Sequence, residues 1–194
     1  MATISYGLPD ARRIRFAGAI LLGGLIASLV WRMALAPALL GSFDPRDMPL
    51  HQRAMLALGL LVSALISASS LATLSRTLGE SNARRVILIA GIAAFAAAGL
   101  LAVNIVLLLA GIDFLGLFLA FAALTTGSWI AVGAALVRAG TLKWGGLITA
   151  ILSALAMATL VSGATIIFIM FIATLPMAIG LLCWRPNSIA RDAT

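Results

Sequence analysis

Long apolar runs, each bounded by charged residues, make up most of the chain. Three uncharged runs in its middle are 22, 27 and 24 residues long. A transmembrane α-helix needs about 20 apolar residues to cross the hydrocarbon core of a bilayer, so each run is long enough for one crossing. The pattern therefore predicts membrane helices over about 54–75, 86–112 and 114–137.

The last apolar run is too long for a single helix. It extends for 41 uncharged residues between Lys143 and Arg185, which is about twice the length of one crossing. We therefore expect the chain to turn near Ser162 and Gly163, where small residues interrupt the apolar pattern. The two resulting helices cover about 144–161 and 165–184.

The first apolar segment, over about 14–36, follows an arginine-rich start. A basic start, an apolar stretch and small residues at 34–36 also occur in cleaved signal peptides. Trp31, Arg32 and Pro37 argue against cleavage at that point. We expect a retained first membrane helix, followed by an external loop over 37–53 that is longer than the other connections.

Composition excludes an ordinary soluble domain. Hydrophobic residues make up 63% of the 194 residues, charged residues 10%, and the mean hydropathy is +1.17. Soluble domains are about half apolar and about a quarter charged. The sequence therefore predicts an all-α polytopic membrane protein, a single domain of six transmembrane helices in a bundle.

The basic residues predict how this bundle is oriented. Ten lie in the two termini and in the second and fourth loops, whereas three lie in or beside the first loop. Because basic loops resist translocation, both termini are expected in the cytoplasm, as in a multi-pass protein of a bacterial cytoplasmic membrane. Trp31, Trp144 and Trp184 lie beside basic residues at predicted helix ends, where tryptophan prefers the membrane interface. Trp129 lies deeper and is expected to pack inside.

Most predicted helices carry an amide or hydroxyl near mid-depth. Asn104 shares a helical face with three alanines, and Ser63 on the preceding helix is its expected hydrogen-bond partner. Such groups either join helices or line a small polar cavity, and joining is the more common role. The candidate packing or pocket residues are Ser63, Ser67, Asn104, Thr125, Ser153 and Thr174.

A second candidate site is an external patch of ionisable residues. It comprises Asp44, Arg46, Asp47, His51, Arg53 and Asp113. Asp113 follows the third predicted helix, where it either meets water or pairs with Arg46 or Arg53 to form a lid or recognition patch. His51 has no second histidine or cysteine near it, which disfavours a metal site.

The residue types that usually carry chemistry in membranes are missing from the predicted helix centres. Transporters and intramembrane hydrolases generally bury an ionisable side chain near the centre of a membrane helix, and none of the six predicted helices has one at its centre. The chain has a single cysteine and a single histidine, and no zinc-protease, nucleophile-elbow or phosphate-loop motif. We therefore expect no enzyme, cofactor, metal or nucleic-acid partner.

Four features of the chain also occur together in a known family. They are the basic start with RFAGAILLGGLIASL, the long first loop, the inner loop SRTLGESNARR, and the passage GSWIAVGAALVRAGTLKWGGLITA. In these features the chain resembles the bacterial six-helix membrane family called domain of unknown function four-three-eight-six. The resemblance implies a six-helix fold and assigns no reaction or functional residues.

The sequence thus favours a non-catalytic membrane protein, either an accessory or assembly subunit of a membrane complex or a self-associating scaffold. Its partners would be membrane lipids and other membrane subunits or further copies of the chain. The alternative is a carrier or binding protein for a lipid, a quinone or another weakly polar molecule. An enzyme is the third hypothesis.

Overall fold

The computed structural model describes residues 11–39, 49–78, 81–158 and 174–184. Within these ranges the chain forms α-helices and turns, and the expected all-α class is confirmed. Five helices are α1 (Ala11–Leu39), α2 (Leu50–Thr77), α3 (Asn82–Leu109), α4 (Leu115–Arg138) and α5 (Lys143–Ala158). A sixth helical segment, α6, covers residues 174–182.

Four of these helices have the length and apolar character needed to cross a membrane. They are Ala11–Trp31 within α1, Leu50–Thr77, Asn82–Leu109 and Leu115–Arg138. The described part of α5 is apolar but has 16 residues, about 24 Å at the rise of an α-helix. The expected turn at Ser162 and Gly163 and the first nine residues of the predicted helix over 165–184 fall outside the described ranges, so the count of six spans stays a prediction.

The second helix begins earlier than the charge pattern predicts. α2 starts at Leu50, so His51 and Arg53 lie on its first turn and not in a loop that extends to residue 53. The backbone N–H groups of Gln52 and Arg53 donate to the carbonyl of Pro49, at 3.0 and 3.1 Å. Charged residues mark where the hydrocarbon ends, and a helix can continue beyond that point.

The turns between helices are short where the structure describes them. Ser81 is the N-cap of α3, and its side chain accepts a hydrogen bond from the Arg84 backbone N–H. The turns after α3 and α4 contain Gly111 and Gly140, which have φ of +82° and +68°. These left-handed conformations favour glycine, and they let each helix reverse direction within a few residues.

Each helix packs against the next in sequence, from α1 to α5. Buried apolar side chains form two clusters within this bundle. One includes α6 with residues of α1 to α4, towards the end where α1 begins, and the other joins α2, α3 and α4 towards the opposite end. Many large apolar side chains are exposed along the helices, including Ile89, Ile92, Val103, Val106 and Leu155. Exposed apolar surface of this extent fits a lipid surrounding better than water.

Candidate functional site

Two glycines form a close contact between α4 and α5. A Cβ atom built on Gly133 would lie 2.5 Å from the carbonyl oxygen of Gly146, and one built on Gly146 would lie 2.7 Å from that of Gly133. Both distances are below any real Cβ contact. Each glycine therefore lets the other helix backbone approach, as small residues do at membrane-helix interfaces.

The described part of α6 packs between α1 and α5. A Cβ atom on Gly18 of α1 would lie 2.8 Å from the backbone nitrogen of Leu182. On the other side, a Cβ atom on Gly145 of α5 would lie 3.1 Å from the carbonyl oxygen of Pro176. Glycines on both neighbours thus admit the backbone of α6.

Two hydrogen bonds of Trp184 connect the end of this segment to both sides. The Nε of Arg15 donates to the Trp184 carbonyl oxygen at 3.2 Å, and the Trp184 ring Nε1 donates to the Thr141 carbonyl oxygen at 3.1 Å. Trp184 is 6% exposed. It therefore joins the start of α1 to the turn between α4 and α5, which sequence analysis did not predict.

The contact between α1 and α2 combines close packing with two hydrogen bonds. The Ser70 hydroxyl donates to the Ala17 carbonyl oxygen at 2.7 Å, and the Trp31 Nε1 donates to the Met55 carbonyl oxygen at 3.1 Å. The Trp31 ring lies against Gly59. The Ser70 hydroxyl therefore bonds across the contact to another helix.

The pair Gly23 and Gly24 shows why neighbouring glycines differ. A Cβ atom on Gly24 would lie 2.5 Å from a methyl carbon of Ile66, whereas one on Gly23 meets nothing within 4 Å. Consecutive helix residues point about 100° apart, so one of the two faces α2 and the other is exposed. Gly24 therefore contributes to close helix packing, and Gly23 does not.

Asn104 is buried, but its bond differs from the predicted one. Its Nδ2 donates to the Phe114 carbonyl oxygen at 3.3 Å, and the residue is 4% exposed. Phe114 precedes α4, so the bond closes the turn between α3 and α4. The Phe114 carbonyl oxygen also accepts from the Leu117 backbone N–H at 3.2 Å, since a carbonyl oxygen can accept two hydrogen bonds. It takes the place of the predicted partner Ser63. Ser63 is half-buried.

Of the other predicted polar residues, Thr125 is hydrogen-bonded within its own helix. The Thr125 hydroxyl donates to the Phe121 carbonyl oxygen at 2.8 Å, and neighbouring Thr126 and Ser128 bond one turn back in the same way. Ser153 and Thr174 are buried, and Ser67 is half-buried. These hydroxyl groups do not form one described network across the bundle.

Thr149 is the buried polar group that sequence analysis missed. Its Oγ1 is buried and has no hydrogen-bond partner, in contrast to the other buried side-chain nitrogen and oxygen atoms that the structure describes. It lies on α5 between Gly146 and Ser153, which are also buried. The spacing of three and four residues along one helical face was the available signal.

The external patch is partly described. Asp113 pairs with Arg53, one of its two expected partners, and the side chains are 48% and 21% exposed. This ion pair joins the start of α2 to the turn before α4. Arg46, Asp44 and Asp47 belong to a segment that the structure does not describe, while His51 is exposed. In the described ranges, no three histidine, cysteine or acidic side chains group as a metal site would require.

No protein-family model matches the chain, and no curated protein or solved structure is significantly similar to it. The resemblance to the six-helix family therefore stays a prediction. The site itself is what supports a function.

Proposed function

We propose that the protein is a non-catalytic integral membrane protein, an accessory, assembly or scaffold subunit of a membrane complex. The observation that carries this proposal is how the described glycines and polar side chains are used. Gly133, Gly146 and Gly18 admit neighbouring backbones, and Ser70 bonds across a helix contact. These features stabilise contacts between helices, as expected of a membrane protein whose role is structural.

We further propose six spans with both termini in the cytoplasm of a bacterium. The contacts of Trp184 place the start of α1, the turn between α4 and α5 and the end of the described α6 at one end of the bundle. The basic residues predict that this end is cytoplasmic. The likeness to the six-helix family supports the same plan.

Co-purification tests the proposed role. Extracted in a mild detergent and reconstituted in nanodiscs, the full chain should have a fixed mass that exceeds one copy, either with further copies or with other subunits at constant stoichiometry. A mass equal to one copy, or a mixture of assemblies without constant stoichiometry, contradicts the proposal.

The second candidate is a carrier of a weakly polar molecule, and Thr149 is the specific observation that favours it. A buried hydroxyl without a partner costs about 1–3 kcal/mol, and a bound solute would supply that partner. If the protein is a structural subunit and binds no solute at Thr149, Thr149→Val should raise the free energy of unfolding by about 1 kcal/mol, because it removes the unpaired hydroxyl group.

The matched control is Thr125→Val, because Thr125 is buried but already bonds to its own helix. Thermal unfolding in detergent and mass spectrometry of extracted small molecules give the two readouts. A Thr149→Val protein that is less stable and loses a co-purified solute, while Thr125→Val retains it, favours the carrier over the packing role.

A further inference from the structure

The predicted topology concentrates the formal charge of the chain on one end of the bundle. It assigns ten basic and three acidic residues to the end where α1 begins, and three basic and three acidic residues to the other end. The second set is neutral, so the first accounts for the whole net charge of +7. A positive surface beside a bilayer attracts anionic headgroups.

Within this end, two hydrogen bonds of Trp184 connect the part of α1 that carries Arg15 with the turn between Arg138 and Lys143. Arg15 bonds through Nε to the Trp184 carbonyl oxygen, and the Trp184 ring bonds to Thr141. Arg138 and Lys143 flank Thr141 at the two ends of that turn. Trp184 therefore brings the arginine of α1 towards the two cations of the turn.

These cations have no anionic partner in the described ranges. Asp113 is the one carboxylate side chain that those ranges contain, and it lies at the opposite end, paired with Arg53. The Nε bond fixes the Arg15 guanidinium and leaves its two terminal amino groups without a bond. A guanidinium presented in this way matches the oxygens of a phosphate.

Apolar side chains continue from this cluster in the direction of the membrane. Phe16 follows Arg15, and Leu147 and Ile148 lie one turn after Lys143; all three are exposed. Trp144 is 77% exposed beside Lys143, and an exposed tryptophan next to a cation is typical of the headgroup level. Phosphate-binding cations and acyl-chain contacts therefore lie side by side.

We propose that Arg15, Arg138, Lys143 and Trp144 form a binding site for the headgroup of an anionic phospholipid. Arg15 and Arg138 bind the phosphate oxygens, Lys143 adds charge, and Trp144 packs beside the glycerol region. This lipid site does not depend on the scaffold role, because a carrier or an enzyme with the same fold would retain it.

The test is a lipid titration on the purified full chain. Nanodiscs of phosphatidylcholine receive increasing phosphatidylglycerol that carries brominated acyl chains. Binding is reported by the quenching of Trp144 fluorescence, obtained by subtracting the quenching measured for the Trp144→Phe variant. The expected result is stronger quenching by brominated phosphatidylglycerol than by brominated phosphatidylcholine. In Arg138→Gln/Lys143→Gln, the apparent affinity should fall about fivefold for each charge removed, taking about 1 kcal/mol for a basic residue in direct contact with the headgroup.

Arg84→Gln/Arg85→Gln is the matched control, because it removes the same charge from exposed residues at the start of α3, on the same end of the bundle. It should change the affinity less than twofold, and Arg138→Lys should retain binding. Thermal unfolding confirms that each variant is folded before titration.

Three results overturn the proposal. They are equal quenching by both lipids, equal loss in the two double variants, and displacement of the lipid by millimolar inorganic phosphate. The first shows no preference for anionic lipid, the second a diffuse surface charge, and the third a site for free phosphate.

Discussion

At the residue scale, Gly133 and Gly146 lie where the backbones of α4 and α5 meet without room for a side chain. Each faces the other's carbonyl oxygen at a distance that leaves no room for a methyl group. Close backbone approach also allows weak Cα–H···O contacts between helices. Stability should therefore respond to one added carbon at these positions.

Gly133→Ala should lower the free energy of unfolding by about 1–3 kcal/mol, the usual cost of overpacking. The matched control is Gly127→Ala on the same helix, where a Cβ atom meets nothing within 4 Å. Thermal or denaturant unfolding in detergent measures both. If the two variants are equally stable, α4 and α5 do not pack as described.

The Arg53 and Asp113 pair gives a smaller effect because both side chains are partly exposed to solvent. A double-mutant cycle with Arg53→Gln and Asp113→Asn should give a coupling of at most about 1 kcal/mol, and high salt should weaken it. Unfolding at low and high salt measures the coupling. A coupling of zero at low salt would mean that the pair does not hold α2 to the turn before α4.

Sequence predicted the kinds of residue at these contacts better than their partners. The apolar pattern and small size of Gly24, Gly145 and Gly146 indicate close packing because glycine has few other uses inside a membrane helix. The Asn104 bond to Phe114 and the Trp184 bond to Thr141 depend on which backbone carbonyl groups the turns bring within reach. No residue pattern along one helix encodes that position, so those partners required the structure.

At the scale of elements, Trp184 adds hydrogen bonds to α1 and to the turn after α4 to the packing of the described α6 between α1 and α5. The start of α2 differs from the one that the charge pattern predicts, since the helix extends past Arg53 to Leu50, with Pro49 as its N-cap. Charges indicate the edge of the hydrocarbon, whereas helix ends depend on prolines, glycines and caps. The four long spans were predictable because length and apolar character are local properties of the sequence.

Trp184→Phe should lower the free energy of unfolding by about 1 kcal/mol, because it removes the ring N–H donor to Thr141 and retains most of the apolar surface. Trp144→Phe is the control, since Trp144 is largely exposed. Unfolding followed by circular dichroism compares them without using tryptophan signals. Equal stability of both variants would mean that the Trp184 ring bond contributes nothing.

At the scale of the whole molecule, the helices separate two chemically different ends. The end with the start of α1, Trp184 and the turn at Gly140 carries Arg15, Arg138 and Lys143, and the end at Asp113 carries the ion pair with Arg53. Exposed apolar side chains cover the helices between them. This distribution is that of a bundle inserted in a bilayer.

Labelling from one side of the membrane tests this arrangement most directly. In a Cys183→Ser background, Ile112→Cys and Ala139→Cys place single thiols in turns at the two ends. A membrane-impermeant maleimide applied to intact cells should label the cysteine at 112, and should label the one at 139 after the membrane is permeabilised. Labelling of both positions in intact cells, or of 139 alone, contradicts the account.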